Sequence, residues 1–196
     1  MPERVPAVVL SGGTSRRLGQ PKALVTVNNK SLLTIAIEKL QNAACHPIIV
    51  VTNRDLQFDA LMQSKGASIV VNNYPENGRT GSLKIGLNSV IAELGRIPNK
   101  LIMCPIDRPG WKVSHISSLI ESSTSTCLSQ HGSKGHPVSL VKNDLLTVLN
   151  AADDDSLRTL VNFDNVEVTN ALLTLNIDTP EDIEKLRKNA DFFDEL

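Results

Sequence analysis

The stretch Val8-Val9-Leu10-Ser11-Gly12-Gly13-Thr14-Ser15-Arg16-Arg17-Leu18-Gly19-Gln20-Pro21-Lys22 sets the reading of the rest of the chain. It continues an apolar run, Val5 to Leu10, with the character of a buried strand. The run stops at Gly12-Gly13, where a backbone without Cβ atoms turns tightly and presents bare N–H groups. Arg16 and Arg17 follow, then Gly19, then Lys22 behind Pro21. Glycines and cations at this density suit a polyphosphate. The amides form an anion-binding nest, and the side chains supply charge that amides lack. The spacing is neither G-x-x-x-x-G-K-[ST] nor G-x-G-x-x-G, so neither familiar glycine loop is present.

Downstream, apolar runs alternate with helical patterns. Ala23 to Val27 reads as a short strand, and Ser31 as the N-cap of a helix to about Ala43. Ile48 to Val51 is a continuous apolar strand, as in a parallel sheet covered on both faces. A helix from Leu56 to Lys65, a strand from Ser68 to Val71, a helix from about Ser82 and a strand from Lys100 to Cys104 follow. Val113, Ile116 and Leu119 mark another helix. Gln130 to Pro137 reads as a loop and Val138 to Val141 as a strand, with two short helices after it, the second behind Asp153-Asp154-Asp155. Val166 to Thr169 and Leu172 to Leu175 read as strands, and a last helix opens at Thr179. This order predicts a doubly wound, Rossmann-like, mostly parallel α/β sheet, in one domain spanning residues 1–196. Ligands of such sheets bind at the carboxyl ends of the strands.

Composition narrows the function. Of 196 residues, 41% are apolar and 3% aromatic, so Leu, Ile, Val and Ala must build the core. A net charge of −1 with no basic run argues against nucleic acid as a partner. No apolar run is long enough to cross a membrane, and the start lacks a signal-peptide pattern, so a cytoplasmic protein is expected. Cys45, Cys104 and Cys127 are too few and too scattered for a zinc site and read as free, buried thiols.

The pattern L-x-G-G-x-x-R-R-x-G-x-x-K resembles the signature loop of MobA-like NTP transferases, which make nucleotide forms of molybdenum cofactor and related compounds. The likeness extends along the chain in family order, from Val8 to Asp182. Asp107 follows the strand Leu101 to Cys104, as in the family's Asp-x-Pro element, whose Asp binds metal. Alone, it could equally be a turn residue before Pro109. Gly78-Arg79-Thr80-Gly81-Ser82-Leu83-Lys84-Ile85-Gly86 resembles a segment that lines the nucleotide, although Ser82 also reads as a capped helix start and Lys84 as a surface residue. Asp178-Thr179-Pro180-Glu181-Asp182 resembles the closing element of the family's cytidylyltransferases. Thr179 to Asp182 need only the capping-box explanation, and Asp178 sits either near the metal or at the helix dipole. Asn176 departs from the acidic residue expected there. Gly135-His136-Pro137 is similar to an element of the cytidylyl branch.

The resemblance implies an NTP, a small phosphorylated acceptor (molybdopterin or its molybdenum-bearing form) and Mg²⁺. Lys22, Arg16 and Asp107 are the candidate catalytic residues. Leu10, Ser11, Gly12, Gly13, Arg16, Arg17, Lys22, Arg79 and Ser82 are the candidate nucleotide ligands. Asp107 and Asp178 are the candidate metal ligands, and His136 is a candidate for the acceptor. A molybdoenzyme or chaperone would receive the product. Pro21-Lys22, Gly135-His136-Pro137 and the Asp178 element favour CTP, while Gly12 leaves room for a purine. The alternatives are a guanylyltransferase, a sugar-phosphate nucleotidyltransferase, or a catalytically silent nucleotide-binding subunit.

Overall fold

The computed structural model describes residues 4–13, 15 and 17–194. Its elements run β1 (Ala7–Leu10), β2 (Thr26–Val27), β3 (Lys30–Ser31), α1 (Leu32–Asn42), β4 (Ile48–Thr52), α2 (Gln57–Gln63), β5 (Ser68–Val71) and α3 (Arg79–Leu94). Then come β6 (Lys100–Pro105), α4 (Val113–Glu121), β7 (Thr126–Gln130), β8 (Ser133–Val141), α5 (Lys142–Asn150), α6 (Leu157–Leu160), β9 (Asp164–Glu167) and α7 (Pro180–Lys188).

Seven strands form one mostly parallel sheet in the order β5-β4-β1-β6-β8-β7-β9, with helices on both faces. The β1, β4 and β6 strands are apolar at almost every position because both faces are covered. On one face, Leu33, Ile37 and Leu40 of α1 pack with Ile116 of α4 and Leu186 of α7. On the other, Leu83, Leu87 and Val90 of α3 pack with Val148 of α5. Helix α3 comes in close at Gly86, where a Cβ would lie 2.5 Å from Val8 Cγ1 and 2.8 Å from Val51 Cγ2. Any larger residue there must push helix and sheet apart. From β1 the chain crosses by α1 to β4, whereas α3 returns it on the opposite face to β6. The switch point therefore falls between the carboxyl ends of β1 and β6, where doubly wound sheets form their clefts.

The α1 cap is as expected, with Thr34 N donating to Ser31 Oγ at 3.1 Å. All three cysteines are free and buried. Four local readings change. Residues 22–24 form a short 3-10 turn, and only Thr26–Val27 extend, pairing with Lys30–Ser31. Gln130 to Pro137 is not a loop. It holds the turn of a β-hairpin, His131-Gly132, both with positive φ, and the first part of β8. Composition misled there because Gly135, His136 and Pro137 occupy a register irregularity of β8. The ladder pairs Ser129 with Lys134 and Cys127 with Val138, so a proline without an N–H sits where the pairing is already broken. The last strand is Asp164–Glu167 rather than Val166 to Thr169. Leu172 to Leu175 is a series of turns started by Asn170, whose Oδ1 accepts from Leu172 N at 3.0 Å, although Leu173 is buried as its apolar character demands. Among the described residues no helix is long and apolar enough to cross a membrane.

Candidate active site

Two backbone hydrogen bonds bring the three sequence motifs to one place, and a third bond, to a side chain, shapes the loop. Ile106 N donates to Leu10 O at 3.0 Å, which ties the end of β6 to the end of β1. Ile177 N donates to Asp107 O at 2.9 Å, which lays the segment before α7 across that end. Lys22 N donates to Ser15 Oγ at 3.2 Å and folds the loop back on itself, with Leu18 buried beneath it. A cleft of about 580 Å³ opens between these segments. Leu10, Ser11, Gly12, Gly13, Arg17 and Lys22 line it from the loop, Arg79 and Ser82 from the start of α3, and Asp107 and Asp178 from the remaining wall. Arg16 lies outside the described residues.

The charged groups meet inside the cleft. Lys22 Nζ donates to Asp178 Oδ1 and stands 3.6 Å from Asp107 Oδ2. Arg17 is exposed and reaches 3.7 Å from Asp178 Oδ2. The hydrogen bond from Lys22 holds the Asp178 carboxyl below the usual carboxylate range, against the opposing effect of burial. Asp178 is held by the capping box that follows it, since its N–H and that of Thr179 both donate to Asp182 Oδ2, at 3.1 and 3.0 Å. The cap thus fixes a functional neighbour as well as a helix. Asp107 Oδ1 and Asn176 Oδ1 are buried without a hydrogen-bond partner among the described residues. The Asp107 and Asp178 carboxylates, with the Asn176 amide oxygen beside them, form a hard oxygen donor set. Mg²⁺ takes one or two carboxylates and draws its remaining ligands from water and substrate phosphates, and these residues fit that demand.

Several side chains depart from their expected roles. Ser11 Oγ donates to Val51 O at 3.0 Å, so its proton is committed to the sheet rather than offered to a base. Helix α3 begins at Arg79, which places Ser82 one turn inside it. There Ser82 Oγ accepts from Asn72 Nδ2 at 3.0 Å and donates to Gly78 O at 3.2 Å. Lys84 is tied to Ala151 O at 2.7 Å and Asp153 Oδ1 at 2.8 Å instead of lying free on the surface. The acidic run leads into α6, as read, and does more than that. Its backbone straps α3, with Gly81 N donating to Asp153 O at 2.9 Å and Thr80 Oγ1 to Asp155 O at 2.7 Å. His136 lines a separate chamber, reached past Arg79. The motif reading passed over Ser15 and Pro75, which also line the cleft. Ser15 carried a signal, a short hydroxyl side chain inside a glycine loop.

The MobA-like NTP transferase domain matches residues 7–186. The chain belongs to this family. A curated relative, nicotine blue oxidoreductase of Paenarthrobacter nicotinovorans, is 28% identical over 60% of this chain and 56% of its own length. The probable molybdenum cofactor guanylyltransferase of Natranaerobius thermophilus is 34% identical over 30% of this chain and 28% of its own. The chain thus spans little more than half, and under a third, of these two proteins. Among solved structures, Rv0371c of Mycobacterium tuberculosis superposes with a TM-score of 0.79 at 19% identity, covering 95% of this chain and 98% of that one. The same protein in complex with manganese superposes at 0.74 and 16% identity, covering 95% of this chain and 100% of that one. At such identities the likeness establishes the MobA-like fold.

Proposed function

We propose that this MobA-like protein transfers a nucleotidyl group from an NTP to a phosphorylated acceptor, and that the acceptor is molybdopterin or its molybdenum-bearing form. The observation that carries the reading is the convergence of Lys22, Arg17, Asp107 and Asp178 with the glycine loop in one cleft at the switch point. A phosphate oxygen of the acceptor attacks the α-phosphorus in line. The new P–O bond forms as the bond to the β-phosphate breaks, and pyrophosphate leaves with that electron pair. No enzymic nucleophile is required, so catalysis rests on positioning and charge neutralisation.

In this scheme the loop amides of Ser11 to Gly13 and the first turn of α3 cradle the nucleotide. Arg17 holds the phosphates that depart, and the same role for Arg16 rests on its place in the sequence. Lys22 neutralises charge at the α-phosphate, for which its ammonium must leave the two carboxylates it now bridges. Asp107 and Asp178 would then hold Mg²⁺, which when bound supplies positive charge to the phosphates. A manganese complex of a structural neighbour supports a divalent ion in this fold. The family supports a cytoplasmic enzyme whose product passes to a molybdoenzyme or its chaperone.

For the base we favour CTP, on Pro21-Lys22, Gly135-His136-Pro137 and Asp178 to Asp182. A second reading, GTP, is favoured by the guanylyltransferase relative. The test is pyrophosphate release from each of the four NTPs with molybdopterin species and with common sugar phosphates. Release with a molybdopterin acceptor and CTP is expected. A GTP preference of about tenfold in kcat/KM, or 1.4 kcal/mol, overturns the base, and release only with sugar phosphates overturns the acceptor.

A further inference from the structure

The two edges of the sheet are finished differently. At one edge β9 carries carboxylates at both ends, and each is tied down. Asp164 Oδ2 accepts from Thr124 Oγ1 at 2.7 Å, and Glu167 Oε2 from Ser129 Oγ at 2.6 Å. Charged residues on an edge strand keep other strands away. At the other edge β5 reads Ser68-Ile69-Val70-Val71, with no charge, no proline and no break in its pairing with β4. Asn72 N donates to Thr52 O at 2.7 Å, so by alternation the N–H and C=O groups of Ile69 and Val71 point away from β4. No described strand pairs with that side of β5.

The helix beside this edge is apolar on both sides. Leu56, Ala60 and Ser64 recur at every fourth position and are buried, and Ile69 of β5 packs against the cluster that holds Leu56 and Ala60. Phe58 and Met62 lie about 160° round the helix from Ala60. They are 71% and 70% exposed, and Leu61 is 62% exposed. Gln63 turns toward α1, where its Oε1 accepts from Ser31 Oγ at 2.9 Å and from Thr34 Oγ1 at 3.1 Å. Leu61 stands about 160° from Gln63, so it leans to the flank away from α1, toward the free edge of β5. A surface helix ordinarily turns polar groups to water. This one turns three large apolar side chains outward, roughly a few hundred Å², the size at which a patch marks an interaction site.

We propose that this corner binds a second copy of the chain. The two β5 edges pair antiparallel about a two-fold axis perpendicular to the sheet, and the two α2 helices lie side by side on the same face. Val70 then sits on the axis, and Ile69 of one copy exchanges N–H···O bonds with Val71 of the other. Three features select a second copy over other occupants. A bare apolar edge is completed by an equally bare one. The guarded β9 edge prevents head-to-tail addition, so the pairing closes at two. Arg54, Asp55, Asp59 and Lys65 around the helix sum to zero charge, so two copies meet without net repulsion, and a strongly acidic or basic partner finds no counterpart. Antiparallel pairing also turns the strand ends of the two copies in opposite directions, so each cleft stays open. With the strands included, such a contact covers about 1,000 Å² in all, the lower limit of a specific interface, and a dissociation constant of about 10–100 µM is expected.

Sedimentation velocity of the full chain without ligand, from about 5 to 500 µM, tests the proposal. The mass is expected to rise from one chain to two across that range and to stop there. Phe58→Glu or Leu61→Glu should weaken the association about tenfold or more, since each buries a charge at the contact. Both positions are exposed, so melting temperatures of the dilute protein should match wild type. Hydrogen exchange, read residue by residue by NMR, separates strand pairing from a contact of helices alone. The Ile69 and Val71 amides should exchange about fivefold more slowly at the highest concentration than at the lowest, and the Asn165 amide of β9 should not change. A mass that stays at one chain or passes two, association indifferent to both variants, or protection at Asn165 in place of Ile69 and Val71 overturns the proposal. So does a monomer that floats with phosphatidylcholine vesicles through Phe58, which would give the patch to a lipid surface.

Discussion

The parallel half of the sheet and its antiparallel half each carry a cavity, and the two are fixed by different means. In the parallel half, β1 and β6 end side by side, and the residues beyond them are committed to one another. Lys22 bridges two carboxylates, and the capping box of α7 holds Asp178 in place. In the antiparallel half, Arg79, Lys134 and Arg158 stand around an apolar floor with no carboxylate in the described lining. In the first site Lys22 and two carboxylates are already paired before any ligand arrives and must exchange partners to work. In the second, like charges repel one another. Removing a charge should therefore disable the first and merely relieve the second.

The largest effect is expected at Asp107. Asp107→Ala should lower kcat by about a thousandfold, the upper range for loss of one electrostatic stabiliser. Its Oδ1 has no hydrogen-bond partner among the described residues, so the melting temperature should hold or rise slightly. A variant that melts well below wild type would make Asp107 a structural turn residue before Pro109. Lys22→Met follows, with a loss of about a hundredfold in kcat and a smaller rise in KM for NTP, because its charge matters most in the transition state. The same change removes the ammonium that occupies Asp107 and Asp178. Mn²⁺ titration of the nucleotide-free variant should show about tenfold tighter binding than wild type. Unchanged Mn²⁺ affinity together with a pure KM effect would reduce Lys22 to a phosphate anchor.

The two halves also differ in how far they could be read from the chain. The parallel half announced itself because its signals are local and redundant. The run Val5 to Leu10 meets glycines, the run Leu101 to Cys104 meets Asp107, and each marks a strand end on the same sheet edge. The antiparallel half hid for physical reasons. A two-residue turn at His131-Gly132 and an irregular register around Gly135-His136-Pro137 give strand residues the composition of a loop. The chamber could not be seen either. Met103, Cys127 and Val138 become neighbours only through pairing register, and Arg158 joins them from α6. Asp178 lies between these cases. Its cap was evident from Thr179 and Asp182, but its contact with Lys22 spans almost the whole chain.

A smaller effect concerns pH and the border between the cavities. His136 stays neutral in the folded chain down to about pH 4, whereas its ordinary value is 6.5. Between these values the unfolded chain takes up a proton that the folded chain refuses, so stability falls as pH drops through this window. The slope is at most about 1.4 kcal/mol per pH unit. The depressed carboxyl of Asp178 acts lower, losing its contribution only as pH falls below the ordinary carboxylate range. His136→Gln should make the decline between pH 6.5 and 4 shallower, measured as urea midpoints at several pH values, while His115, which burial also pushes down, keeps its own share. An unchanged slope would mean that His136 is charged in the folded chain, and that it adds a cation to those of Arg79, Lys134 and Arg158.

The smallest effect is expected at Gly12, where the base argument can be made sharper. If the missing methyl is what admits a purine, restoring it should swing the choice of base strongly, since one methylene in a hydrophobic pocket is worth about 10- to 200-fold. The geometry points elsewhere. A Cβ at Gly12 would lie 3.4 Å from the Thr52 carbonyl carbon, 3.5 Å from Asn53 N and 3.7 Å from Thr52 Cα, ordinary contacts with the end of β4. The methyl would rest on backbone that already carries a hydrogen bond from Asn53 Nδ2 to Gly12 O at 3.2 Å. Gly12 also has no positive φ for an alanine to resist. Gly12→Ala should therefore fold normally and gain a few tenths of a kcal/mol from a less flexible unfolded chain. The ratio of kcat/KM for CTP to that for GTP should move by less than about threefold, well below the methylene range. A tenfold swing toward CTP would show that the base does meet this position, and would return Gly12 to the purine side of the argument.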